Sequence, residues 1–145
     1  MKLIKSFKID HTKLEKGLYV SRQDEFFTSC VTTFDLRMKK PYADVPLATE
    51  TAHALEHCLA TYLRNVRQDV IYVGPMGCMT GFYVVVAGKK EVENVRNSIM
   101  CALEWINTLS EVPGATEREC GNCYFMDLED AKREAKAYLE LLRKP

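Results

Sequence analysis

The sequence carries no excess of charge of either sign: twenty Lys and Arg stand against twenty Asp and Glu. So even a balance spreads no broad positive field, which excludes the usual footprint of nucleic-acid and anionic-membrane binding and leaves a small molecule or another protein as partner. Long apolar runs are missing too. The longest, Phe82–Ala87, is far short of the ~20 residues a bilayer requires. Met1–Asp10 is interrupted by Lys2, Lys5 and Lys8, so it lacks the apolar centre of an export signal. The six cysteines (30, 58, 78, 101, 120, 123) are therefore expected to be thiols in a reducing cytoplasm, most of them acting as small buried hydrophobes. Internal repeats, low-complexity stretches and linkers are also absent, which excludes solenoid and multi-domain plans.

What remains is the composition of one globular domain spanning residues 1–145, 47% hydrophobic and 28% charged, long enough to bury a core without disulfides. Residues 17–22 and 28–37 are rich in β-branched and aromatic side chains and predict strands. Pro41 and Pro46 mark a loop. From Thr49, an expected N-cap, to Val66, the residues Ala52, Leu55, Leu59, Tyr62, Leu63 and Val66 recur at helical spacing. Val70–Val73 predicts a short strand, followed by the turn Gly74-Pro75-Met76-Gly77-Cys78 and a further strand over Gly81–Ala87. A second helix is expected over Lys89–Leu109, with Val92, Val95, Ile99, Leu103 and Ile106 on one face. A third begins at Asp127 or Asp130 and runs to about Arg143. Strands and helices interleave without a regular βαβ rhythm, so the expected class is α+β, an antiparallel sheet packed against helices.

The sharpest local feature is His53-Ala54-Leu55-Glu56-His57, inside the first predicted helix. Each residue advances ~100° around a helix, so two imidazoles four apart share a face and can aim at one ion. Glu56 flanks that face, within reach of a water or substrate beside the ion. A catalytic metal site takes three protein ligands and leaves a position open. A cysteine is the natural source of the third, and Cys120 sits in a glycine-containing loop, Glu119-Cys120-Gly121-Asn122. Cys123 completes a C-x-x-C, which also fits a redox pair or a closed structural zinc site. The His-x-x-Glu-His order is in addition that of the inverted zinc peptidases, although those are larger proteins with a downstream carboxylate ligand. Cys78 lies in a glycine-rich turn leading to a strand, where backbone N–H groups favour a thiolate. Read from the residues alone, a structural thiol in a tight turn is the commoner meaning.

Taken together these motifs resemble the S-ribosylhomocysteine lyases, the LuxS family. The resemblance runs from Ser6-Phe7 and Asp10-His11-Thr12-Lys13 through Tyr19-Val20, Thr33-Phe34-Asp35-Leu36-Arg37 and His53–His57. It continues with Gly74–Cys78, Thr80-Gly81-Phe82-Tyr83 and Glu119–Asn122. It implies a homodimer with active sites at the subunit interface, and one divalent metal per subunit held by His53, His57 and Cys120. That metal would be Fe(II) natively, with Zn(II) or Co(II) in isolated protein. It further implies Glu56 and Cys78 as acid–base groups and Ser6, His11 and Arg37 as substrate-binding residues, with Arg37 expected to fork onto a carboxylate of the substrate.

The implied reaction cleaves the thioether of S-ribosylhomocysteine to homocysteine and 4,5-dihydroxy-2,3-pentanedione, the autoinducer-2 precursor of quorum sensing. The residue types suit two carbonyl shifts and a β-elimination, since each step moves a proton beside a carbonyl and asks for a tuned acid–base pair. Four positions depart from the family pattern: Tyr72 for aspartate, Met79 for Arg or Gln, Cys123 for tyrosine and Met126 for histidine. None is an expected ligand or acid–base group. They keep open a metal-binding member with altered substrate or without turnover.

Overall fold

The computed structural model describes residue 2 and residues 4–144, excluding the side chains of Lys5 and Ser6. After a short 3-10 turn at Lys5–Lys8 come β1 (Gly17–Phe26), β2 (Ser29–Arg37), α1 (Thr49–Val66), β3 (Val70–Pro75), β4 (Gly81–Ala87), α2 (Glu93–Ile106) and α3 (Leu128–Arg143). The four strands form one antiparallel sheet in the order β1-β2-β4-β3. This is the α+β arrangement that the sequence predicts. No helix among the described residues is long and apolar enough to cross a membrane.

Side chains alternate across a strand, so each strand has two chemical faces. In the β2–β4 pair, Phe34 lies opposite Val84 and Leu36 opposite Phe82, and all four are buried in the core against the helices. The intervening residues Asp35 (opposite Tyr83) and Arg37 (opposite Gly81) therefore project from the other face. Gly81 is required there, because a Cβ would stand 2.1 Å from the Leu36 carbonyl oxygen. Pro75 is tolerated within β3 because β3 is a sheet edge and needs fewer donors.

The helices complete the core. In α1 the buried stripe is Thr51, Ala52, Ala54, Leu55, Cys58, Leu59 and Leu63, whereas Val66 is exposed. α2 contributes Val95, Ile99, Ala102, Leu103 and Ile106, and α3 contributes Ala131, Ala135, Tyr138, Leu139 and Leu142. Burial of a Leu or Ile side chain contributes about 1.5–3 kcal/mol, and this shared interior fixes the angles at which the helix ends meet the loops.

The N-cap of α1 and the start of α2 differ from the sequence expectation. Ala48, not Thr49, occupies the N-cap of α1 and provides no side-chain cap; the Thr49 hydroxyl donates to Glu50 Oε2 instead (3.0 Å). The preceding Leu47 is buried and its N–H donates to Met79 O (2.8 Å), so a tertiary anchor sets where the helix starts. α2 begins at Glu93 rather than Lys89 because Lys90 is held by the sheet. Its N–H donates to Thr32 Oγ1 (3.0 Å) and its carbonyl accepts from Gln23 Nε2 (3.0 Å).

Candidate active site

α1 presents His53 and His57 on one flank, with ring centroids 5.0 Å apart and planes at 79°. The loop between α2 and α3 brings Cys120 to them: its Sγ lies 3.5 Å from His53 Nε2, and one ligand atom from each of the three residues lies within 4.8 Å of the others. Both imidazoles are oriented from behind. His53 Nδ1 faces the Phe125 carbonyl (2.7 Å) and His57 Nδ1 faces the Pro113 carbonyl (2.9 Å). A carbonyl only accepts, so each Nδ1 must carry the proton and each Nε2 keeps its lone pair for an ion. Two imidazoles and a thiol form a donor set that divalent transition metals accept, and three ligands leave room for a fourth from outside the chain. The residues therefore fit a metal. Cys123 is not part of this group, so the closed four-ligand site is not what the chain builds.

The loop reaches this position because its C-terminal end, where it enters α3, is tied to α1. Asp127 N–H donates to Glu50 O (3.1 Å), and the Thr51 hydroxyl donates to Asp130 Oδ2 (2.5 Å). Nearer the thiol, Cys120 N–H donates to Thr116 O (2.9 Å) and Asn122 N–H approaches Cys120 Sγ (3.4 Å). Gly114 has φ +70°, and a Cβ there would sit 3.4 Å from His57 Nδ1. Glycine at this position removes the backbone strain.

A second cluster surrounds Cys78, which sits exposed in the turn between β3 and β4. That turn is closed by Met79 N–H to Met76 O (2.9 Å), with Met79 at φ +56°. Beneath it lies Arg37, buried, whose Nε and Nη2 fork onto Asp35 Oδ1 and Oδ2 (3.1 and 2.5 Å). Arg37 Nη1 donates to Thr80 Oγ1 (2.6 Å) and lies 3.9 Å from Cys78 Sγ, while Thr80 Oγ1 lies 3.1 Å from the same sulfur. Burial pushes the Cys78 thiol up, but hydrogen bonds from the Thr80 hydroxyl and backbone and the Arg37 charge outweigh it, and the net direction is downward. Asp35 moves the other way, because its burial exceeds the pull of Arg37. Cys78 and Thr80 line a cavity of about 290 Å³ with His11, Pro41, Tyr42, Asp44 and Pro46.

The structure thus gathers His53, His57 and Cys120 in one place and Arg37, Cys78 and His11 in another. Glu56 is half-buried on α1, next in sequence to His57, and does not line the cavity of Cys78. His11 is partly exposed, with Nδ1 on the Ile9 carbonyl (2.9 Å). The side chain of Ser6 lies outside the described residues. The Arg37 fork expected for a substrate carboxylate is occupied by Asp35, since a buried guanidinium must be paired within the fold. Sequence reasoning assigned no part to the Pro113 and Phe125 carbonyls, to Asp35 or to Thr80. The two carbonyls carry no side-chain signal at all; Asp35 and Thr80 stand inside recognised motifs, but only the fold reveals their contacts.

Fold and site together define a small α+β domain with a three-residue group able to hold a metal, two histidines from one helix face and a cysteine from the α2–α3 loop, and a polarised thiol in a separate turn. The model of the family S-Ribosylhomocysteinase (LuxS) matches residues 4–144. The chain is 44% identical over 144 residues to an S-ribosylhomocysteine lyase of Finegoldia magna, covering 98% of this chain and 92% of that protein. It is also 44% identical over 142 residues to one of Desulfotalea psychrophila (95% and 89% covered), and 42% identical over 146 residues to one of Borreliella burgdorferi (98% and 93%). The chain belongs to the S-ribosylhomocysteinase (LuxS) family.

Proposed function

We propose that this chain is a carbon–sulfur lyase that cleaves S-ribosylhomocysteine to homocysteine and 4,5-dihydroxy-2,3-pentanedione, feeding both autoinducer synthesis and homocysteine metabolism. The observation that carries the reading is the convergence of two pre-oriented imidazoles and the Cys120 thiol, with no fourth ligand side chain in the group among the described residues. Its support is membership of a family whose curated members are named for this activity.

His53, His57 and Cys120 are the proposed ligands of one divalent ion, Fe(II) in the cell and Zn(II) or Co(II) in protein isolated in air. When bound, such an ion supplies Lewis-acid polarisation of a carbonyl oxygen. The chain's own groups then move the protons. Cys78, favoured as thiolate by Thr80 and Arg37, takes a proton from carbon beside the carbonyl. Glu56 exchanges protons with the substrate oxygens, so that two carbonyl shifts precede loss of the thioether sulfur by β-elimination. His11, on the wall of the Cys78 cavity, and Ser6 and Arg37 are the proposed substrate-side residues, with Arg37 acting from below through Cys78.

Within one chain, Glu56 and the three ligands do not line the Cys78 cavity. That separation favours a homodimer in which two copies complete each site. A cytoplasmic setting suits a centre built from thiols, all six of which are free.

The test is release of free thiol from S-ribosylhomocysteine by anaerobically purified protein, read with a thiol reagent alongside metal analysis. Cys78→Ala should abolish release while retaining the metal of the parent protein, and Cys123→Ala should keep both. Full activity in Cys78→Ala would refute the acid–base assignment, and no release from the metal-loaded parent would refute the lyase reading itself.

A further inference from the structure

Thr80 is buried at the start of the turn-to-strand junction, and its single hydroxyl stands between two groups of opposite demand. Arg37 Nη1, 2.6 Å away, has protons and no lone pair, so toward Arg37 the hydroxyl oxygen must accept. A hydroxyl has one proton, and accepting from Arg37 leaves that proton free for the other neighbour, the Cys78 sulfur at 3.1 Å. The direction of the chain is fixed further back. The Asp35 carboxylate takes Nε and Nη2 of the same guanidinium, which turns Nη1 toward Thr80 and prevents it from rotating away. Direct contact between Arg37 and the sulfur is much longer, 3.9 Å.

We propose that Thr80 is a positioning residue for Cys78: its hydroxyl, committed as an acceptor by the Asp35–Arg37 pair, donates its only proton to the sulfur and holds it as thiolate. The proposal rests on reading Cys78 as an acid–base group, and adds that the arginine acts on it chiefly through this hydroxyl. The groups facing Cys78 from its surroundings are few. Arg37 comes from β2, Tyr83 from β4, and His11, Tyr42 and Asp44 from the loops lining its cavity. Asp44 is paired with Lys16 (3.2 Å), and burial pushes the Tyr83 phenol up, which keeps it uncharged. Thr80 and Arg37 are the groups whose contacts with the sulfur favour negative charge on it.

The experiment uses the full-length, metal-loaded protein. Iodoacetamide alkylation is followed from acid to alkaline pH by mass spectrometry of the Cys78 peptide, which separates this thiol from the other five. In the parent the midpoint should lie below that of an ordinary thiol. Thr80→Val should raise it by about one pH unit or more, the size of one hydrogen bond to a charged group. Thr80→Ser, which keeps the hydroxyl, should restore it. Turnover by Thr80→Val should fall at neutral pH and recover as pH rises, a profile that a purely structural defect does not produce. Thr80→Ala reads the same loss if Thr80→Val does not fold. An unchanged midpoint in the hydroxyl-free variant, or failure of serine to rescue it, overturns the proposal. A raised midpoint with undiminished turnover at neutral pH would instead leave Thr80 in place and overturn the catalytic reading of Cys78.

Discussion

Gly114 shows how much the metal site depends on a residue with no side chain. Its φ of +70° is the left-handed backbone that favours glycine, and it directly follows Pro113, whose carbonyl orients His57. Gly114→Ala should cost about 1–2 kcal/mol of stability through the left-handed backbone. It should also weaken metal binding, since backbone strain at residue 114 shifts the adjoining Pro113 carbonyl that orients His57. A competition titration with a chromophoric chelator measures the affinity, and affinity equal to that of the parent protein would show that His57 is oriented without the glycine. At the same scale, His53, Glu56 and His57 were legible as a group from residue type and spacing, whereas Cys120 was named with them only by the family resemblance. The carbonyls of Pro113 and Phe125 were not, because every residue has a carbonyl and only the folded path of a loop selects two of them.

Among the elements, α3 controls the loop that delivers Cys120. Its N-cap Asp127 accepts from Asp130 N–H (2.9 Å) through its side chain, while its own N–H ties the loop to α1. Asp127→Ala should lower stability by about 1 kcal/mol, as loss of a side-chain cap does, visible as a lower urea midpoint with an unchanged slope. The backbone tie to Glu50 does not need the carboxylate, so metal content should persist. The Asp127 start of α3 could be anticipated because a cap signal is local. The N-cap of α1 and the start of α2 could not: Leu47 is pinned by the Met79 carbonyl in the β3–β4 turn and Lys90 by Thr32 and Gln23, and those contacts override the local preference for a Thr49 cap or a Lys89 start. β1 likewise runs to Phe26, beyond the expected end at residue 22, because the paired β2 carries it onward.

Across the whole molecule, the common interior of sheet and helices sets a pH limit on stability. Burial of Cys58 pushes its thiol up to about 12, whereas an unfolded thiol titrates near ~8.5. The folded pKa is the higher one, so the stabilisation is complete below the unfolded value and is lost as pH rises from there toward the folded value. Stability should fall across that alkaline window. Cys58→Ala, less stable than the parent at neutral pH because it leaves a small void, should show a shallower decline, so that the gap between the two narrows as pH rises. Chemical denaturation at pH 7.5, 9 and 10 compares them, and parallel curves would show that Cys58 does not carry this dependence.

The sequence by itself determined the class of fold and the helix that carries two histidines at a one-turn spacing, because periodicity and residue chemistry are local properties. Only the tertiary structure decided that Cys120 joins His53 and His57 while Cys123 does not, that Arg37 is claimed by Asp35, and that Thr80 bridges Arg37 to Cys78. These outcomes turn on loop paths and on which buried charge finds a partner. Both are settled by packing across the whole chain, where an unpaired guanidinium or a misplaced carbonyl costs more than any local preference can return.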